Sequence, residues 1–70
     1  MAYEQIVTEI VERVGVLRLN RPEKLNAWTS QMAAEIQDQI NVWNNDAGIG
    51  AILVTGEGRA FCAGADIGVF

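Results

Sequence analysis

The run Phe61-Cys62-Ala63-Gly64-Ala65-Asp66-Ile67 gathers small residues around one glycine. It follows the apolar stretch Ala51-Ile52-Leu53-Val54-Thr55 through the loop Gly56-Glu57-Gly58-Arg59-Ala60. A glycine with small neighbours lets the backbone turn sharply and pass close to a ligand. A helix starting near Asp66 would turn its first amide N–H groups outward, where they attract negative charge. Backbone donors of this kind make half of an oxyanion hole. Such a hole normally takes a second donor, and the chemistry takes an acid or a base.

Other residues have a chemical reading beside a plainer one. Cys62 as a nucleophile needs an activating base or a cationic neighbour. The chain has no histidine, so a small, inert, buried cysteine is the better expectation. Asp66 as a general base competes with Asp66 as a helix cap, and the cap is favoured. Trp28, Trp43, Phe61 and Phe70 read as core or interface aromatics rather than a stacking platform. Lys24, in a proline-containing loop, can meet a phosphate as a point charge, although a solvated surface lysine is the ordinary reading. Arg59 poses the same choice with less to recommend it. Two glycine patterns are decoys for dinucleotide binding. Gly48-Ile49-Gly50 precedes its strand and has Leu53 at the third position, and Gly56-Glu57-Gly58 has Phe61 there.

These residues need elements to hold them. Ile6 to Val11 mixes β-branched and polar residues and reads as a strand. Glu12-Arg13-Val14-Gly15 reads as a tight turn, and Val16 to Asn20 as the returning strand of a hairpin. Pro22 ends it by removing a donor and fixing φ. A helix follows, capped by Thr29 or Ser30. Met32, Ile36, Ile40 and Trp43 recur at spacings of four, four and three, which makes one apolar stripe. Gly48 suits the stop. Ala51 to Thr55 reads as a strand covered on both faces. Strand, strand, helix, strand and loop give an α/β layered fold.

Composition narrows what such a fold can do. Seventy residues with a net charge of −4 make at most one small domain, burying about 60% of its unfolded surface. One cysteine and no histidine allow neither an internal disulfide nor a zinc site of the usual ligands. Half the residues are hydrophobic, too many for a disordered segment, so part of this surface is expected to be buried against further sequence or other chains. The five basic residues, Arg13, Arg18, Arg21, Lys24 and Arg59, are scattered, which argues against nucleic-acid binding. No apolar stretch approaches a membrane span. The polar start Met1-Ala2-Tyr3-Glu4-Gln5 is unlike a signal or transit peptide, and the expected location is cytoplasmic.

Two segments together resemble the enoyl-CoA hydratase/isomerase, or crotonase, superfamily. Leu19-Asn20-Arg21-Pro22-Glu23-Lys24-Leu25-Asn26-Ala27 is similar to its first loop, and Gly56 to Ile67 to its oxyanion-hole segment. The resemblance covers nearly the whole chain, in family order and spacing around an intervening helix. It implies that residues 1–70 are the N-terminal segment of a crotonase-like spiral of repeated strand-strand-helix units, incomplete alone, in a family usually assembled as trimers or hexamers. It implies a shared chemistry in which two backbone N–H groups polarise an acyl-CoA thioester carbonyl. The Ala65 amide would be the first donor and Gly64 the turn that permits it. Ala63 and Ile67 would border the adenine and pantetheine path, with Asp66 in the same substrate-binding turn. The first loop's grip on CoA carries over to Lys24, Leu25 and Ala27. Coenzyme A would enter as part of the substrate, with no separate cofactor and no metal.

The commonest family activity is syn hydration of a trans-2-enoyl-CoA. The family's second donor and catalytic glutamates lie beyond residue 70. Glu4, Glu9, Glu12, Glu23, Glu35 and Glu57 match none of its catalytic positions. Gly68-Val69-Phe70 also departs from the charged, helix-forming stretch that often follows this turn. The competing expectation is a non-catalytic truncated fragment that binds CoA weakly or only assembles with other chains.

Overall fold

The structure, a computed structural model, describes residues 2–65. Strand β1 (Ile6–Val11) pairs antiparallel with β2 (Val14–Leu19). A 3-10 turn (Pro22–Lys24) leads to helix α1 (Ser30–Asn44), and β3 (Ala51–Gly56) pairs parallel with β2. The sheet order is β1-β2-β3. A parallel pair needs a crossover, and α1 supplies it.

The hairpin is tighter than its sequence suggests. Val11 faces Val14 across the turn, so Glu12 and Arg13 alone make the connection, with Glu12 at φ 58°. Gly15 is therefore a strand residue, and its reason is packing. A Cβ there would lie 2.7 Å from Trp43 Cδ2 and Cε3. The bare backbone is the seat on which the indole rests, and Gly15 is not the turn glycine. Asn20 falls outside β2, yet its N–H donates to the Gln5 carbonyl at 2.8 Å and extends the pairing.

Helix α1 starts where the capping logic requires. Thr29 is extended (φ −125°, ψ 164°), and its hydroxyl accepts from the Met32 N–H at 3.0 Å. It ends at Asn44, four residues short of Gly48, because asparagine side chains compete for the backbone. The Asn45 amide donates to the Asn41 carbonyl at 2.8 Å. Gly48 lies in the following turn, donating to Asp46 Oδ1 at 2.8 Å.

The core is Ile6, Leu17, Leu19, Met32 and Trp43. Only the ends of the expected helical stripe are fully buried, while Ile36 and Ile40 are half-buried. Glu35 and Gln39 occupy the buried face between Met32 and Trp43. Glu35 is 2% exposed and clasps the N-terminal segment. It accepts from Glu4 N at 3.1 Å, Gln5 N at 2.8 Å and Gln31 Nε2 at 2.8 Å. Burial alone pushes its pKa up, but these donors and the Ile6 N–H outweigh it and hold the carboxyl below its ordinary value. Strand β3 corrects another expectation. Leu53 is 52% and Val54 40% exposed, because β3 is an edge of this sheet and α1 covers only part of one face. The described residues are α/β, as expected.

Candidate active site

Two connections meet beside the β2–β3 end of the sheet. The first runs from Asn20 to Thr29 and the second from Glu57 onward. Leu25 and Asn26 both adopt left-handed backbone (φ 52° and 56°), which bends the first connection back on itself. Its turn is closed by Lys24 N to Arg21 O (2.9 Å) and Asn26 N to Arg21 O (2.8 Å). Arg21 Nη1 also donates to the Ala27 carbonyl at 2.8 Å. The second connection leaves β3 with Glu57 N donating to Leu19 O at 2.9 Å. The Glu57 carboxylate meets Arg18 Nε at 3.2 Å. Gly58 (φ 83°) passes so close that a Cβ there would lie 3.0 Å from Pro22 Cβ.

The connections are joined by four hydrogen bonds involving Leu25, Asn26 and Trp28. Asn26 is 0% exposed. Its Nδ2 donates to the carbonyls of Glu57 and Ala60, both at 2.8 Å, while its Oδ1 accepts from Arg21 N at 2.7 Å. Ala63 N donates to Leu25 O at 3.0 Å, and Trp28 N to Gly64 O at 2.7 Å. Trp28 and Ala65 thus form an isolated parallel bridge. Gly64 makes the necessary turn at φ 111°.

The last bond fixes a direction. The Gly64 carbonyl and the Ala65 N–H belong to one planar trans peptide unit, in which C=O and N–H point opposite ways. Since the carbonyl is pinned on Trp28, the Ala65 N–H points away from the first connection. Donation into the carbonyl also polarises the unit and strengthens the N–H as a donor.

The expected site residues distribute as follows. Lys24, Ala63, Gly64 and Ala65 are exposed, and Leu25 and Ala27 are half-buried. The two segments carrying Lys24, Leu25 and Ala27 and Ala63, Gly64 and Ala65 are brought together. Asp66 and Ile67, with the helix start expected near them, lie outside the described residues, as does Phe70. Cys62 is half-buried rather than buried, packed against the core, with Sγ 3.9 Å from the Gly64 carbonyl. Among the aromatics, Trp43 is core, Trp28 is half-buried against it and Phe61 is 58% exposed. Asn26 was missed as a site residue, though it stands inside the first motif. Its signal was an asparagine after a lysine-leucine turn, suited to a left-handed position.

Two connections are thus clamped together so that one main-chain amide faces outward, at one corner of an α/β fold. A family profile described as Enoyl-CoA hydratase/isomerase matches residues 14–70, and the chain belongs to that family. Over 67 residues it is 48% identical to a probable enoyl-CoA hydratase of Mycobacterium tuberculosis, covering 96% of this chain and 26% of that protein. A crotonyl-CoA hydratase of Syntrophomonas wolfei is 41% identical over 68 residues, with 96% and 26% covered. The solved structure of an enoyl-CoA hydratase subunit from Geobacillus kaustophilus superposes with a TM-score of 0.92 at 39% identity, covering 94% of this chain and 26% of that one. The described residues correspond to the N-terminal part of the crotonase fold. The chain spans about 26% of the length of these relatives.

Proposed function

We propose that this chain is the acyl-CoA thioester-binding segment of an enoyl-CoA hydratase, with syn hydration of a trans-2-enoyl-CoA as the reaction. The observation that carries this is the Gly64–Ala65 peptide unit, held from behind by Trp28 N at 2.7 Å. Its N–H is the first oxyanion donor, and Gly64 supplies the turn. As water adds across the double bond, oxygen bonds to C3 and a proton to C2. Negative charge collects on the thioester oxygen in between, where one donor can be worth roughly 3–4 kcal/mol.

Lys24, Leu25 and Ala27 grip CoA from the first connection. Ala63 and Ile67 border the adenine and pantetheine path, and Asp66 is a further CoA-binding residue. A pair of glutamates, expected from the family resemblance beyond residue 70, activates and delivers the water, while a second backbone donor expected there shares the thioester oxygen with Ala65. The reaction is redox-neutral, so CoA is needed only as part of the substrate. A cytoplasmic protein assembled as a homotrimer or hexamer, with no nucleic-acid or membrane partner, completes the reading. Relatives named crotonyl-CoA hydratase and carnitinyl-CoA dehydratase fit it, since hydration and dehydration are one equilibrium run in two directions. The second reading is a segment that binds CoA weakly or only assembles with other chains, without turnover.

The test compares binding of crotonyl-CoA with that of the matching CoA thioether, in which CH2 replaces the carbonyl. One neutral hydrogen bond predicts up to about tenfold tighter binding of the thioester. Ala65→Pro, which removes the donor, should erase that preference. Equal binding of the two ligands by the unsubstituted protein refutes the donor, and binding of neither refutes the CoA site. Loss of the enoyl thioester absorbance on incubation separates the enzyme from the non-catalytic segment.

A further inference from the structure

We propose that Asn26 is a positioning residue for the thioester site, its buried side-chain amide setting the spacing between the CoA-gripping connection and the segment that presents the Ala65 donor. This rests on the reading of Ala65 above. Asn26 is the point where the two connections share one side chain. Its two N–H donors go to the carbonyls of Glu57 and Ala60, 31 and 34 residues away in sequence, and its oxygen takes the Arg21 N–H. Both donor hydrogens are used and the side chain is fully buried.

Three residues of the first connection hold the second: Leu25 holds Ala63, Asn26 holds residues 57 and 60, and Trp28 holds Gly64. Asn26 thus makes the contacts nearest in sequence to β3, and it makes them with its side chain. The Leu25 and Trp28 bonds, farther along the second connection, are main-chain bonds. The sequence accommodates this amide on the other side as well, because a Cβ on Gly56 would lie 2.7 Å from Asn26 Nδ2.

Few side chains can replace it. Aspartate keeps the acceptor for Arg21 N but sets a carboxylate against two carbonyl oxygens. Glutamine is one methylene too long for a closed seat. Alanine strands two carbonyls and one N–H away from water. A shift of the Ala60–Gly64 segment then carries the Gly64–Ala65 peptide with it. The loss falls more heavily on the thioester carbonyl than on contacts to the rest of CoA, of which the moving segment carries only Ala63.

The experiment measures dissociation constants of crotonyl-CoA and of its CoA thioether analogue for the unsubstituted protein, Asn26→Asp and Asn26→Ser. Serine retains one donor and leaves room for water, so it serves where aspartate prevents folding. Folded fractions come from far-ultraviolet circular dichroism. The unsubstituted protein should prefer the thioester up to about tenfold. Asn26→Asp should bring that preference to about onefold while thioether binding, corrected for folded fraction, changes less than about threefold, and Asn26→Ser should fall between. A merely structural role lowers both affinities together and leaves their ratio intact, and that result overturns the proposal. A preference absent from the unsubstituted protein refutes the Ala65 reading itself, and a preference retained in both variants refutes only Asn26.

Discussion

Gly56→Ala adds one methyl at the most crowded point of the fold. The new Cβ would lie 2.6 Å from the Phe61 carbonyl oxygen, 2.7 Å from that of Ala60 and 2.7 Å from Asn26 Nδ2. Ordinary contact begins at 3.4 Å, so the shortfall is about 0.8 Å. Two of the three atoms are main-chain oxygens, which cannot swing aside as a long side chain would. The methyl must push the Ala60–Phe61 segment outward or displace the Asn26 amide. Either movement strains or breaks two buried hydrogen bonds at about 1 kcal/mol each. Overpacking adds about 1–3 kcal/mol. The expected loss is about 3–5 kcal/mol, a large part of the roughly 4–10 kcal/mol that a chain of this size holds. Urea unfolding followed by far-ultraviolet circular dichroism reads it as a fall in midpoint of about 3–5 M at a slope near 1 kcal/mol/M. Gly50→Ala is the control. Its nearest neighbours are Arg13 side-chain atoms at 3.6 Å and beyond, and its effect should stay within about 0.5 kcal/mol. Gly56→Ala unfolding within about 0.5 kcal/mol of the unsubstituted protein would refute the reasoning.

Gly15→Ala should cost about 1–3 kcal/mol and alter near-ultraviolet dichroism, because its Cβ would meet the Trp43 ring at 2.7 Å; unchanged tryptophan signals would count against the seat. Glu35 has a lowered folded pKa, so its stabilisation is complete above the unfolded value near 4.3 and fades as pH falls through the folded value. Glu35→Gln should therefore be less stable at neutral pH and lose less on acidification, and parallel pH profiles would contradict this. The hydroxyl of Tyr3 donates to Asp38 Oδ2 at 2.6 Å, which raises its pKa to about 12. Its contribution is present below the unfolded value near 10 and is lost as pH rises through about 12. As Tyr3 is the single tyrosine, phenolate absorbance reports it directly, and Asp38→Ala should move the midpoint toward about 10. A midpoint already near 10 in the unsubstituted protein would remove the Asp38 contact from the account.

The hairpin, the helix and the final strand were legible because each has a local cause: β-branched runs, a threonine cap and an apolar repeat. Gly15 was misread because a glycine beside a turn looks like a turn glycine, whereas its cause is Trp43, 28 positions away in the chain. Glu35 was legible in principle. A carboxylate at the buried spacing Met32-Glu35-Gln39-Trp43 calls for partners, although the sequence does not say that they are the N–H groups of Glu4 and Gln5. Strand β3 looked buried from its composition, but burial depends on which elements flank it. Both motifs fall on the two connections that the fold brings together. The bond from Trp28 that aims the Ala65 amide was not legible, since a main-chain donor leaves no residue type to read.

A donor made of main chain has its own kind of durability. The amide of residue 65 is a property of the peptide link and not of alanine, so most substitutions at Ala65 leave the N–H itself in place. The part that aims it, Trp28 N to Gly64 O, is equally indifferent to which side chain position 28 carries. Sequence drift can therefore recolour the surroundings of this amide while the amide and its anchor persist, with proline as the substitution that deletes either end. A change of side chain at positions 63 and 65 alters the walls around the amide without deleting the amide itself. The bends at Leu25, Asn26 and Gly64 are the coordinates to leave alone.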